Sequence, residues 1–305
     1  MTQEEFNQII NQKIFEDNLT QLLTKIAKYP ERYVGLFRPT KPYAKIIQNI
    51  SQSYEIRFGD AVEILFEKYL QSCGFEILPK KLHYKEQDYN IDSLFESQNA
   101  VYMVEQKMRD DHDSAKKRGQ FANFKAKYLA ITEQFPQKPI IATMWFIDDS
   151  LQKNKRYYSE EIAKLSAENA ENTANTFHLA YGEEFFEISE ELRQKSFWDN
   201  FVNHLETWKQ EIPTFPNVNF DDPAQLDDVL EQISPQKVEN KIWLKLFRDE
   251  RIVVEIFPVI FPTGRAFEEY LRRYANEMPN NRQSVKVREF MNDYIFDCEN
   301  GKFDG

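Results

Sequence analysis

The chain has 305 residues, a formal charge of −11 at pH 7, 41% hydrophobic and 14% aromatic side chains, and only 8 glycines. That composition excludes a disordered or collagen-like chain and favours packed helices and strands in one large domain or two. Cys73 and Cys298 make no disulfide framework, and no apolar run reaches the roughly 18 residues of a membrane span, so a cytoplasmic protein with no membrane partner is expected.

The start, MTQEEFNQII, is polar and amphipathic and does not read as a signal peptide. Apolar residues at Phe6, Ile9, Ile10, Ile14, Leu19, Leu22, Leu23 and Ile26 predict helix up to Pro30. The stretch after it, with Pro39 and Pro42, predicts short pieces in which Arg38, Lys41 and Lys45 interleave with Phe37 and Tyr43. Cations between aromatics suit a phosphate-and-base surface, and an ordinary surface loop is the equal alternative. From Gly59 to Cys73 a helix is predicted, with Asp60 as N-cap, Glu63 three residues on and Gly74 as the stop. Glu63 is then either the partner of a capping box or an acidic group turned toward a metal.

A strand broken by Pro79 follows, and then the stretch that carries the chemistry, YNIDSLFESQNAVYMVEQKM. It reads as a strand bearing Asp92, a turn at Ser97-Gln98-Asn99, and a strand bearing Glu105 and Lys107. Strand side chains alternate, so Glu105 and Lys107 share a face, and in a short hairpin Asp92 lies beside them. Two carboxylates suit Mg²⁺, which takes one or two protein oxygens plus waters and substrate phosphate. The lysine is placed to orient or deprotonate an attacking water. A helix over Lys116–Glu133 follows, with Lys116, Lys117, Arg118 and Gln120 near its N-terminal end, where phosphate binds readily. His112, in the loop before it, reads as a solvated residue, with contact to the scissile phosphate as the alternative.

PIIATMWFID predicts a strand buried on both faces. Further helices are predicted over Tyr158–Glu171 and Glu190–Gln210, separated by a strand at FHLAYGEEFF. A linker starts at Thr214, and a mostly helical last third includes a helix bearing Arg265, Arg272 and Arg273. Charge is segregated: Lys25, Lys28, Arg32, Arg38, Lys41 and Lys45 face only Glu31 between residues 25 and 45, a second basic block runs from Lys107 to Lys127, and residues 158–206 are strongly acidic. An acidic protein can therefore still bind nucleic acid. No P-loop or Gly-rich dinucleotide motif is present, and no nucleotide cofactor is expected.

Asp92, twelve intervening residues, then Glu105-Gln106-Lys107 resembles the PD-(D/E)xK nuclease signature, with Ile91 where that signature has proline. Over about Gly59–Asp148, and most of all in VEQKMRDDHDSAKKRGQF, the chain resembles the type II restriction endonucleases of that superfamily. The resemblance implies an α/β fold with a mixed central sheet between helices, Mg²⁺-dependent cleavage of both strands of double-stranded DNA at a specific sequence, and a homodimer. It implies Asp92 and Glu105 as metal ligands, Lys107 as the catalytic lysine, and Glu63 as an added ligand through water. The phosphate contacts expected are Lys116, Lys117, Arg118 and Gln120, with Arg38, Lys41 and Lys45. Residues 1–58 form a helical N-terminal segment in this scheme, 59–190 the nuclease core, and 191–305 a region for recognition or dimerisation, with Trp243, Phe247 and Tyr270 as dimer candidates. The alternatives are a structure-specific repair nuclease and a non-catalytic DNA-binding protein. A second Glu-x-Lys, Glu239-Asn240-Lys241, has no hairpin around it and is discounted.

Overall fold

A computed structural model describes residues 1–193, 195–212 and 216–303. In chain order it contains α1 Gln3–Phe15, α2 Asn18–Lys28, α3 Pro42–Ser72, β1 Glu76–Ile77, β2 Lys81–Tyr84, β3 Gln87–Asn90, β4 Ser93–Glu96 and β5 Val101–Lys107. Then follow α4 Ser114–Gln134, β6 Ile140–Phe146, α5 Lys155–Glu168, β7 Thr176–Tyr181 and α6 Lys195–Glu211. The last third holds α7 Leu226–Ile233, α8 Asn240–Arg248, α9 Phe257–Ile260, α10 Arg265–Tyr274 and α11 Arg282–Glu299. Two compact units are formed, one from Met1–Ile10 with Phe58–Glu211, the other from Asn11–Arg57 with Ile212–Gly305. The sequence divides the chain elsewhere, at 58 and 190; α6, beyond the second of these, packs with the sheet.

The first unit is mixed α/β. Its sheet runs β1-β4-β5-β6-β7, antiparallel from β1 to β5 and parallel from β5 to β7. β5 and β6 are buried along nearly their whole length, as strands covered on both faces must be. One face carries Leu94, Val101, Met103, Ala142 and Met144 against Phe124, Tyr128 and Ile131 of α4 and Ile162 and Leu165 of α5. On the other, Phe66 of α3 meets Phe95, Trp145 and, on α6, Phe197, with ring centroids 6.1, 5.0 and 6.2 Å away. Phe66 is 1% exposed, and truncating it to alanine would cost about 3–5 kcal/mol.

Three local expectations are corrected. The helix before β1 does not start at Asp60. It begins at Pro42, whose ring fixes the backbone for a first helical turn, and runs 31 residues through Gly59 and Asp60, so Asp60 and Glu63 form no capping box. Its end is as expected: Gly74 takes φ +88°, Phe75 N–H donates to Leu70 O and Gly74 N–H to Gln71 O, a Schellman stop. Second, the chain makes an extra hairpin, β2–β3, with Lys85 and Glu86 in its turn at φ 47° and 62°. Such turns usually announce themselves by Asn-Gly, and Lys-Glu gives no such sign. Third, Asp92 lies just ahead of β4 and not within a strand.

The second unit is helical. Its core joins Leu19, Leu22, Leu23 and Ile26 of α2, Ile46 and Ile50 of α3, Leu230 of α7, Trp243 and Leu246 of α8, Phe267 and Tyr270 of α10, and Met291 and Tyr294 of α11. Trp243 and Tyr270 are fully buried and Phe247 is 8% exposed, so these three are core residues and no dimer surface. After α8 the chain breaks at Asp249, whose carboxylate accepts from Arg251 N–H, and resumes as a π turn over Ile252–Ile256. The predicted linker begins at Thr214, which with Pro213 and Phe215 lies outside the described residues, as does Gln194 ahead of α6. Among the described residues no helix is long and apolar enough to cross a membrane.

Candidate active site

β4 and β5 pair with Ser93 opposite Val104, and the same register sets Asp92 opposite Glu105 at the carboxyl end of β5. Glu105 and Lys107 share the face of Met103, beneath α4, as strand alternation requires. Asp92 Oδ2 accepts from Gln106 N–H at 2.9 Å and from Lys107 Nζ at 2.7 Å. Lys107 Nζ also donates to Gln106 O at 2.7 Å and stands 3.5 Å from Glu105 Oε2. The three groups that the sequence singles out therefore meet at one point. Among the described residues no cluster of three or more His, Cys, Asp or Glu could hold a metal. The donor set is two carboxylates, which suits a hard cation that keeps waters and takes substrate oxygens.

A fourth group was not foreseen. Lys127 of α4 hydrogen-bonds Glu105 Oε1 through Nζ, and the pair is nearly sealed, with side chains 6% and 4% exposed. The signal was present: Lys127 stands three residues after Phe124 and four before Ile131, a core-facing position occupied by an ammonium. Buried lysines are seldom unpaired, and this one answers a buried carboxylate.

The electrostatics follow. Burial pushes the Glu105 carboxyl up, a shift that Lys107 and Lys127 oppose and Asp92 reinforces. Burial alone would push Lys107 down, but the Glu105 and Asp92 carboxylates outweigh it, so Lys107 is held as an ammonium. Glu63 is pushed up to about 7, by burial and then by the charge of Asp92, against the pull of Lys80. Its carboxylate is 3.2 Å from Lys80 Nζ, which also holds Glu67 at 2.6 Å. Glu63 thus feels Asp92 but is tied elsewhere and joins no three-residue cluster with it.

Lys116, Lys117, Arg118 and Gln120 occupy the first two turns of α4, but the helix terminus is not open to phosphate. Asp113 caps it, accepting from Ala115 N–H at 2.9 Å and Lys116 N–H at 2.8 Å. Any anion there meets side chains instead of bare amides. Lys117 Nζ lies 4.6 Å from the centre of the Tyr157 ring, and Gln120 Oε1 accepts from Tyr158 O–H at 2.9 Å. The loop before α4 is anchored by fully buried Asp110, which accepts from Asn154 and from Tyr181 O–H. His112 in that loop is not simply solvated. Its Nε2 is buried without a partner, and burial, then Lys116, push its pKa down, so it is neutral near pH 7.

Arg38, Lys41 and Lys45 belong to the helical unit, Arg38 and Lys41 before α3 and Lys45 in its first turn. On α10, Arg272 pairs with Glu269 and Arg273 with Asp227. Glu239 and Lys241 pair with each other at 2.8 Å on an exposed helix start, and the discounted Glu-x-Lys assembles no site.

Paired carboxylates and an ammonium at the carboxyl end of a strand in a mixed sheet define a site fit for phosphodiester hydrolysis. Residues 75–209, less than half the chain, match the family model of the type II restriction endonuclease HinfI, and the matched span contains Asp92, Glu105, Lys107 and Lys127. That match makes the segment similar to type II restriction endonucleases, which are site-specific deoxyribonucleases. Neither a curated protein nor a solved structure matches the chain.

Proposed function

We propose that the protein cuts both strands of duplex DNA at a specific sequence in a Mg²⁺-dependent reaction, with a PD-(D/E)xK-type core. The observation that carries this reading is the meeting of Asp92, Glu105 and Lys107 inside the matched segment. Asp92 and Glu105 would hold the cation, and Glu63 would act on it only through water. Bound there, Mg²⁺ supplies the positive charge that activates a water and offsets the charge gathering on the scissile phosphate. Lys107, held as an ammonium, orients the attacking water. Lys127 aims Glu105 and opposes the upward push that burial gives its carboxyl. Lys116, Lys117 and Arg118 hold the phosphate backbone beside the site, with Gln120 at their edge, and Arg38, Lys41 and Lys45 contact DNA from the helical unit. One chain carries one site and a duplex needs two cuts, so a homodimer on a palindromic sequence is the economical assembly, and the cytoplasm is its setting.

Digestion of a sequenced phage DNA with Mg²⁺, followed by mapping of the fragment ends, tests the reading. Discrete fragments with one common end sequence are expected. A smear or cleavage that follows DNA structure would favour a repair nuclease, and no cleavage with any divalent ion would favour a non-catalytic DNA-binding protein.

A further inference from the structure

The helical unit contains a cleft of about 740 Å³ between α2, the turn after it and the first turns of α3. Five cations line it, Lys25, Lys28, Arg32, Arg38 and Lys45, and no carboxylate does. None of the five forms an ion pair among the described residues. Elsewhere in this acidic chain cations are commonly matched by acids, as in Arg156–Glu160, Lys164–Glu161 and Arg273–Asp227. Four of the five in the cleft rest on neutral partners instead. Arg32 sits 4.2 Å and Lys28 5.1 Å from the centre of the Tyr29 ring, Arg38 Nε donates to Glu31 O at 3.0 Å, and Lys45 Nζ donates to Gln48 Oε1 at 2.8 Å. Such contacts fix the side chains without neutralising them, so their mutual repulsion is left for a ligand to relieve. A concave site of this size fits two or three linked phosphates with their sugars.

We propose that this cleft binds successive phosphates of a nucleic-acid strand and so adds a second, sequence-independent grip on DNA, one made by the helical unit. The proposal rests on the nuclease reading above and extends it from Arg38 and Lys45 to Lys25, Lys28 and Arg32, residues outside the matched segment. The chemistry required is a linear run of phosphodiester or phosphoanhydride charges, which a free nucleoside triphosphate shares with a DNA backbone.

The test is binding of the full chain to a labelled duplex of random sequence, read by fluorescence anisotropy with Ca²⁺ over a series of salt concentrations. Replacing Lys25, Lys28 and Arg32 together by Ala should weaken binding at least about tenfold and lower the log–log salt slope by roughly 2–3. Lys25→Arg with Lys28→Arg should retain both, which a merely structural role would not ensure. Circular dichroism of each variant checks that the exposed substitutions leave the fold intact, and Lys45→Glu should weaken binding in the same direction. An unchanged slope and affinity in the triple variant would overturn the proposal while leaving the nuclease reading standing, whereas a wild-type chain that neither binds nor cuts DNA would overturn both. In a second arm ATP is titrated into the wild-type–duplex complex. Displacement only at millimolar levels supports a backbone site, and tight ATP binding that leaves duplex affinity untouched overturns it.

Discussion

Replacing Lys127 by Met separates the fold's need for this residue from the chemistry's. Methionine fills nearly the same volume but leaves Glu105, 4% exposed, with only Lys107 at 3.5 Å. Removing one partner of a buried ion pair costs about 3–5 kcal/mol, and the remaining lysine places this case near the lower end, at about 3 kcal/mol. For a unit of this size that is a fall in Tm of roughly 6–12 °C, measured by calorimetry in EDTA. The double variant Lys127→Met with Glu105→Gln has no buried charge to strand and should recover most of the loss, giving a coupling of about 2 kcal/mol or more. Cleavage by Lys127→Met at a temperature where it is folded should fall about 10- to 100-fold if Glu105 holds the cation as proposed, because a support behind a metal ligand sets its aim. A single variant melting within about 1 °C of wild type, or a double variant whose losses simply add, would show that Lys127 does not hold Glu105.

Asp92→Ala, Glu105→Ala and Lys107→Ala should each lower cleavage by about 4 kcal/mol in the transition state, roughly a thousandfold, while DNA still binds in Ca²⁺; near wild-type cutting by Glu105→Ala would sink the site assignment. Glu63 gives a pH test. Its folded pKa is raised to about 7, so its share of stability is full below about 4.5 and is lost as pH rises to about 7. Glu63→Gln should therefore flatten the fall in Tm over that window and melt higher than wild type at pH 8, by up to about 3 kcal/mol; identical pH profiles would contradict the assigned cause. Alanine at Lys116, Lys117 and Arg118 should weaken binding to all sequences alike and reduce the salt slope by roughly 2–3, whereas loss confined to one sequence would mean that these residues read bases.

The acid–acid–lysine site was legible because strand alternation and a short turn together determine which side chains meet. Neither depends on distant parts of the chain. The buried strand β6 and the apolar face of α4 were legible for the same reason. What stayed hidden needed information from elsewhere in the fold. Pro42 and Pro39 look alike as breakers, yet Pro42 opens a helix because the apolar positions Ile46 and Ile50 after it find a core. Lys85-Glu86 adopts positive φ because the strands on either side demand the turn. Lys127 reads as one more cation in a basic block until Glu105 is seen beneath it. The dimer candidates Trp243, Phe247 and Tyr270 failed because their burial depends on α11, a helix the sequence reading did not separate from its surroundings.

The bond from Gln106 N–H to Asp92 Oδ2 also bears on which changes of length this gene can tolerate. It pins the entrance of β4 to the exit of β5, so the two strands cannot slide past each other without breaking a contact at the candidate site. The Ser97–Asn99 turn at the far end is exposed, and residues added there can loop out. A single deletion within Val101–Val104 cannot be absorbed that way. It would rotate Glu105 and Lys107 to the face now held by Tyr102 and Val104, among the aromatic rings around Phe66, and exchange a charged face for a hydrophobic one in a single step. Natural variation in this hairpin should therefore accumulate in the turn and spare the spacing of β5.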